Sequence, residues 1–472
     1  VKSEIHTTHI IYYPIFAKTN SVKRLLLILF FLSNIFNVSS QKLWTLRECL
    51  EYASTNNIQV KQSELQVKIA KNNKLQSMLD FLPGASINSS YNFNFGNSID
   101  PTTFSFINDN SQSLRLGLNT DLTLFNGLQK INALNRNKSE SEAAIFDAQN
   151  ALNNTALQIT NFFLQALLNK ELKVVSEKQI EISSEQLNRA KSQVKAGALA
   201  EATLYEFEAQ LARDNANAIQ AKYNELFSLI QLKLALQLPD ETPFDISPPP
   251  TQEFYTSNIS NTSPTSIYQT ALYNQPFIKS AQARISSAIY SKKIAQGTFS
   301  PNISFSFNLS DNYFNKATRI VTISPLVREP ISLKDQLDQN LTKVVGFNLT
   351  MPILTGWARM NNIANSKVQI QLRELDLESQ KNRLRQDIQQ AYNNVVSSFE
   401  TLSANEKAAN SSKKSFEAFQ KRYGAGLANI FELQQSQVNL FRAQSQLLQS
   451  KYTFLLNQKI LDFYEGKPIT LD

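Results

Sequence analysis

Histidine and cysteine are nearly missing from this sequence. Its 472 residues hold two histidines, His6 and His9, and one cysteine, Cys49. The histidines fall in a stretch that reads as a leader, and a single cysteine cannot close an internal disulfide. Imidazole acid–base chemistry, a Cys/His metal site and a disulfide-stapled scaffold are therefore excluded from the body of the chain. A packed position on a helix is the expected role of Cys49. Neither a phosphate-binding loop nor a nucleophile elbow is present. The carboxylates are scattered along helical stretches rather than gathered as a glycosidase needs. Nothing points to an enzyme, a cofactor or a metal. Beyond the first forty positions no run of 18 apolar residues occurs, so the body has no spanning helix. Strong charge of one sign is absent too. The net charge of +8 is small for this length, and basic residues alternate with acidic ones, so no stripe for nucleic acid forms. Glycine is scarce, with 11 in all, which makes the few inside helical stretches informative.

The N-terminus reads as an export signal. Lys23 and Arg24 precede the apolar run LLLILFFLSNIF, and Val38 and Ser40 sit where cleavage before Gln41 requires small residues. Residues 1–21 are unusual ahead of such a signal and read as translated upstream sequence. Residues 1–40 are set aside as leader.

The rest is one unit written twice. Gly127 matches Gly356, Gly197 matches Gly426, Arg213 matches Arg442 and Tyr223 matches Tyr452, each 229 residues apart. Upstream, Ala53 matches Ala271, Asn56 matches Asn274, Phe81 matches Phe299 and Pro83 matches Pro301, each 218 apart. The surplus of the second copy therefore lies between Pro301 and Gly356. The boundaries are 41–250 for the first copy, 251–265 for a linker and 266–472 for the second. The segment from Asp245 to Ser266, rich in proline, serine and asparagine, reads as an extended connection. The two copies form one elongated body.

Each copy reads as a helix (Leu46–Leu79; Ser266–Gly297), two strands, a very long helix (Leu128–Lys195; Trp357–Tyr423) and a return helix. In the last of these, Leu427, Phe431, Val438, Phe441, Ser445, Leu448, Tyr452 and Leu455 recur at the alternating spacing of a coiled-coil seam. The long helix spans roughly 100 Å at 1.5 Å per residue. The two shorter helices together match it, so each copy builds an antiparallel rod. Gly197 in one copy, and Gly424 and Gly426 in the other, then turn the chain at the far end, where a positive φ is needed.

The strands ASINSSYNFNF, SLRLGLNTDLTLF, NISFSFNLS and VVGFNLTMPIL alternate at period two. Ile87, Tyr91 and Phe93 oppose Asn88, Ser90 and Asn92; Phe347, Leu349 and Met351 oppose Gly346, Asn348 and Thr350. All have the length that crosses a bilayer when tilted. Apolar residues on one face and Asn, Ser and Thr on the other suit lipid outside and water inside. Four strands cannot close a barrel, and open edges are not tolerated in lipid, so several chains must share one. Three chains would give twelve strands; the physics alone requires an oligomer without fixing the number.

This order of elements resembles the TolC-like outer-membrane efflux proteins, from about Leu43 to Gly466. The residues that carry the resemblance are the strand–helix junctions LTLFNGLQK and MPILTGWAR, the tips VKAGALAEATL and RYGAGLANIFEL, and the following VNLFRAQ. The resemblance implies a mainly α protein with β. It would be a homotrimer with an antiparallel coiled-coil tube in the periplasm and a shared twelve-stranded transmembrane barrel in outer-membrane lipid. It implies a passive exit duct of a tripartite efflux or type I secretion system. Its tips, at Gly197, Ala198, Leu199, Gly424, Gly426, Leu427 and Ala428, would contact a periplasmic adaptor (membrane fusion) protein that links it to an inner-membrane pump. The constriction would form near Tyr423, Glu432 and Gln435. Where the family often has a second acidic residue this chain has Gln435, and where a basic residue follows the glycine it has Ala428, so an anionic ring is thinner and the usual ionic latch is in doubt. A ring of Glu432 would attract cations. The alternative reading is a cell-surface structural or adhesive coiled-coil protein, which explains the rods but gives the amphipathic strands no purpose.

Overall fold

The computed structural model describes residues 42–99, 104–248, 263–323 and 325–469. The leader, and residues 251–262 of the expected linker, lie outside them. In chain order the first copy gives β1 (Leu43–Trp44), α1 (Leu46–Asn56), α2 (Ile58–Leu79), β2 (Gly84–Asn94), β3 (Asn97–Ile99), β4 (Phe106–Asn108), β5 (Ser111–Phe125), α3 (Gln129–Lys195), α4 (Glu201–Leu236) and β6 (Asp245–Ile246). The second gives α5 (Pro264–Asn274), α6 (Pro276–Gly297), β7 (Asn302–Phe314), β8 (Thr318–Thr322), β9 (Val327–Pro330), α7 (Leu333–Gln339), β10 (Thr342–Thr350), α8 (Ala358–Gly424) and α9 (Ile430–Glu465). The four helices of one copy have 11, 22, 67 and 36 residues, and so do their counterparts in the other. The surplus of the second copy enlarges the loop between its strands into the β8–β9 hairpin and α7. Gln336 fastens that insertion: its side chain accepts the Phe314 N–H at 2.9 Å and donates to the Phe314 and Ile331 carbonyls at 3.0 and 2.9 Å.

The expected first helix of each copy is two helices with a one-residue break. In the second copy Pro276 has no N–H to offer and holds Gln275 extended, at ψ 124. In the first copy Asn57, at ψ 132, ends α1 and starts α2, its side chain accepting the N–H groups of Gln59 and Val60. At that break Asn57 Nδ2 donates to the Ala235 carbonyl of α4 at 3.1 Å, and α1 packs against the same helix. The short helices thus lie end to end beside the long one, as the lengths required.

The connection expected from Asp245 begins later. Asp245–Ile246 is a strand, paired in parallel with Leu43–Trp44. Ile246 is fully buried, and Asp245 is held by Lys170 Nζ at 2.7 Å, so the segment belongs to the body. Helix α5 likewise starts at Pro264, within the last residues assigned to the linker.

The core lies halfway along the rods. Ile159, Phe163, Leu164 and Leu167 of α3 pack with Leu46, Cys49, Ala53, Leu232, Leu236 and Ile246. In the second copy Leu384, Ile388 and Val395 of α8 pack with Ile267, Ala271, Phe454 and Leu461. Cys49 sits fully buried, and burial pushes its thiol up to about 12. The seam of α9 differs from the expected one. Its buried residues Leu433, Ser436, Leu440, Ala443, Ser450, Phe454 and Leu461 follow three-and-four spacing along α8. The anticipated set lies on another face: Tyr452 and Leu455 reach across to the core of the first copy, whereas Leu427 and Phe431 are exposed. Periodicity alone favoured the larger side chains; close helix approach selected serine and alanine.

The principal sheet has the order β10-β7-β5-β2. Its register keeps like faces together. Ile87 lies opposite Leu118, which lies opposite Leu309; Leu122 lies opposite Phe305, which lies opposite Phe347. On the other face Asn119 lies opposite Ser86 and Asn308. Strand β10 ends at Thr350, short of the expected Leu354, with Pro352 beyond it. No helix among the described residues is long and apolar enough to cross a membrane.

Each strand pair enters its long helix through two successive left-handed residues, Gly127–Leu128 (φ 66 and 61) and Gly356–Trp357 (φ 56 and 67). The first junction is also a close contact. A Cβ on Gly127 would stand 2.3 Å from the Gly297 carbonyl oxygen, whereas one on Gly356 would meet nothing within 4 Å. The two substitutions Gly127→Ala and Gly356→Ala carry the same conformational strain, about 1–2 kcal/mol, but only the first drives atoms together. Gly127→Ala should lower thermal stability in detergent by clearly more than Gly356→Ala; equal losses would contradict the contact.

Candidate functional site

The helical tips are built by the same backbone device. At the second tip the Gly426 N–H donates to the Tyr423 carbonyl at 3.0 Å and the Leu427 N–H to that of Arg422 at 2.8 Å. At the first, Gly197 donates to Val194 at 2.9 Å and Ala198 to Gln193 at 2.9 Å. This pair of bonds needs a left-handed residue between them, and both Gly197 and Gly426 have φ 72. Gly424, expected to share that duty, is instead the last residue of α8 and has no positive φ. Its counterpart in the first copy is Lys195, which is equally helical.

The return helices start differently. Asn429 and Glu432 form a reciprocal cap on α9: the Asn429 side chain accepts the Glu432 N–H at 2.8 Å, and the Glu432 carboxylate accepts the Asn429 N–H at 3.0 Å. The N-cap of α4 is Ala200, with no side-chain cap. Glu432 therefore has a structural task, half-buried at the foot of α9. Gln435 is exposed and donates to Asn439 Oδ1 at 3.0 Å.

Tyr423 braces the two copies. Its ring meets Phe207 edge-on at 6.2 Å, within a cluster that includes Leu187, Ala190, Leu199 and Ile430. Burial, reinforced by the nearby Glu206 carboxylate, pushes its phenol pKa upward, and its hydroxyl has no partner among the described residues. Leu199 turns into this cluster. Leu427 does the opposite and is 70% exposed, with Phe431 beside it at 71%. Gly197, Ala198, Gly424 and Gly426 are exposed and Ala428 is half-buried. The structure thus brings Tyr423, the first tip and the foot of α9 together, and leaves Gln435 exposed one turn along α9.

Sequence reasoning missed a buried polar layer just above the tips. The Asp214 carboxylate of α4, 4% exposed, accepts Ser183 Oγ–H, Gln210 Nε2–H at 3.0 Å and Gln179 Nε2–H at 3.4 Å. Gln437 of α9 donates to Ser183 Oγ at 3.0 Å. The layer ties α3 and α4 of one copy to α9 of the other. Its signal was present as Gln179, Ser183 and Gln186 at helical spacing, but polar residues at that spacing ordinarily mark a solvated face. Beside it the buried Gln186 amide has no partner among the described residues.

The family model described as outer membrane efflux protein matches residues 267–466, which is the second copy. TolC of Salmonella enteritidis, an outer membrane protein, is 24% identical over 122 residues, 26% of this chain and 25% of that one. The outer membrane efflux protein BepC of Brucella suis is 22% identical over 413 residues, covering 86% of this chain and 82% of that one. The solved outer membrane channel CmeC of Campylobacter jejuni superposes with a TM-score of 0.73 at 17% identity, over 90% of this chain and 86% of that one, a likeness of fold.

Two substitutions test the tip. Asn429→Ala should cost about 1 kcal/mol and raise hydrogen exchange in the first turn of α9, with α4 unchanged. Ser183→Ala removes a donor from a buried carboxylate and should cost about 1–3 kcal/mol in denaturant unfolding; Ser192→Ala, which loses only an exposed bond to Asn188, is the control.

Proposed function

Because this chain belongs to the TolC-like outer-membrane efflux protein family, we propose that it is the outer-membrane exit duct of a tripartite efflux or type I secretion system and works as a homotrimer. The observation that carries this reading is the principal sheet. It is apolar on one face and polar on the other, and β2 and β10 each pair on one side only among the described residues. In hydrocarbon such edges must be paired. Three copies supply twelve strands and close the ring with cyclic symmetry. The rods, roughly 100 Å long, then stand below the barrel as a tube whose far end carries both tips.

The polar face of the strands lines a water-filled passage. Transport through it is passive, and the driving force comes from an inner-membrane pump. The tips are the surface for a periplasmic adaptor: the backbone turns at Gly197 and Gly426 expose Ala198, Gly424 and Leu427, while Leu199 and Tyr423 hold the two turns side by side. Glu432 keeps its place by capping α9 and contributes negative charge at the foot of the tube. With glutamine at position 435 and alanine at 428, the constriction has one acidic layer here and lacks the opposing basic group. The Ser183–Asp214–Gln437 layer ties α9 to α3 and α4 just above the tips, so any parting of the two helical hairpins there has to break it.

The purified protein should run as a trimer and give single-channel conductance in planar bilayers; a monomer without conductance would overturn the reading. Glu432→Gln keeps the cap, since glutamine serves equally at this position, and removes the charge. It should reduce cation preference in the same recording. Unchanged selectivity would take Glu432 out of the passage.

A further inference from the structure

The repeat relates one copy to the other residue by residue. Moving 218 positions along from β2 and 229 from β5 converts the register of the first hairpin into that of the second. Ile87 faces Leu118 and Phe305 faces Phe347; Gly84 faces Asp121 and Asn302 faces Thr350. The strands that join the copies are β5 and β7, with Leu118 opposite Leu309 and Gly117 opposite Ser310. The same conversion turns this pair into β10 and β2. Those strands lie at opposite edges of one sheet, are exposed along nearly their whole length, and cannot meet within one chain.

We infer that a second copy of this chain completes the sheet in this one register, with Phe347 opposite Tyr91 of the partner subunit, Val345 opposite the partner's Phe93 and Met351 opposite the partner's Ile87. This rests on the shared-barrel reading above and adds to it the register and the residues of the seam. The arrangement keeps apolar side chains on one face and sets Gly346 and Asn348 against Asn92 and Ser90 of the partner subunit on the other. A slip of one residue would turn a row of asparagine and serine toward lipid.

The helices follow the same rule. Helix α3 lies along α6, where the Asp147 carboxylate accepts Ser280 Oγ–H and Arg284 Nη2–H, both at 2.6 Å. Conversion gives Asp376, with Gln62 and Gln66 of the partner subunit. Among the described residues, the polar partner of the Asp376 carboxylate is Arg373 of its own helix, at 3.3 Å, and both glutamines are exposed. Leu372 and Leu375 on α8, and Leu65 on α2, are exposed on the faces that would meet. Two neutral amides replace a hydroxyl and a guanidinium, so this contact is weaker between subunits than within one.

At one point the two seams must differ. Gly127 fits against Gly297 because neither has a side chain. Their images are Gly356 and Leu79 of the partner subunit, and a leucine cannot occupy a site where backbones touch. The seam between subunits is therefore held wider at the strand–helix junction, and the exposed Leu79 and Trp357 are the side chains that fill it.

Disulfide trapping tests the register, since directly opposed strand residues lie within reach of a disulfide. The double variant Phe347→Cys/Tyr91→Cys, oxidised in the outer-membrane fraction, should form a covalent ladder ending at the trimer on a non-reducing gel. The pair Phe347→Cys/Phe93→Cys, two residues out of register, should give roughly tenfold less. Buried Cys49 contributes to neither. Equal or stronger trapping in the second pair overturns the register. So does no trapping in either pair while the oligomer persists in sedimentation. Loss of any oligomer from the unmodified protein would instead sink the shared-barrel reading. For the helices, Gln66→Arg restores the counterpart of Arg284 and should raise the temperature at which the trimer dissociates in detergent. Adding Asp376→Asn should cancel the gain, and no rise would overturn the assigned contact.

Discussion

Everything in this molecule answers to the backbone hydrogen bonds at the two edges of a four-stranded sheet. In water those N–H and C=O groups would be satisfied by solvent. In hydrocarbon each left unpaired costs several kcal/mol. Four strands with a lipid-compatible face cannot bend far enough to pair their own ends, so the chain is incomplete alone. The duplication is the economical response. One helix–strand–strand–helix unit, used twice, gives each chain a pairing of its own between β5 and β7 and leaves the same pairing to be made again outside it.

The rods are constrained by a different balance. A tube open to water cannot have a thick apolar core, and the helix seams accordingly use serine, alanine and glutamine beside leucine. Apolar packing concentrates halfway along, around Phe163 and Ile388, where the end-to-end helices meet the long ones and β1 pairs with β6. Toward the tips the apolar clusters become smaller and a buried polar layer joins them. The Asp214 layer shows why this matters: its buried bonds are directional, so they fix how α3 and α4 sit against α9 more strictly than apolar contact would.

Much of this architecture was legible in the chain because three signals reinforced each other: the fixed offset between repeats, period-two alternation in four segments, and glycine where both long helices end. The break at Pro276 was written in the sequence as plainly as its counterpart at Asn57 was not, since asparagine acts there through its side chain. The seam of α9 was read on the wrong face, because large residues draw attention that a serine–alanine stripe does not, and Tyr452 and Leu455 serve a second partner. Glu432 was legible as an acid but not as a cap, although Asn429 stands three residues before it. Asp214 was invisible because its role arises from Ser183 and Gln437, the latter more than two hundred residues away.

The unequal starts of the two return helices set the order in which the tips come apart. Helix α9 is closed by Asn429 and Glu432, whereas α4 begins at an alanine that offers no side-chain cap to its first amide protons. The first turn of α4 is thus the place where thermal motion most readily frees backbone donors, and the first turn of α9 stays furled. A visitor that recruits loose main-chain groups finds them on one fingertip, and a visitor that needs a stiff ledge finds it on the other.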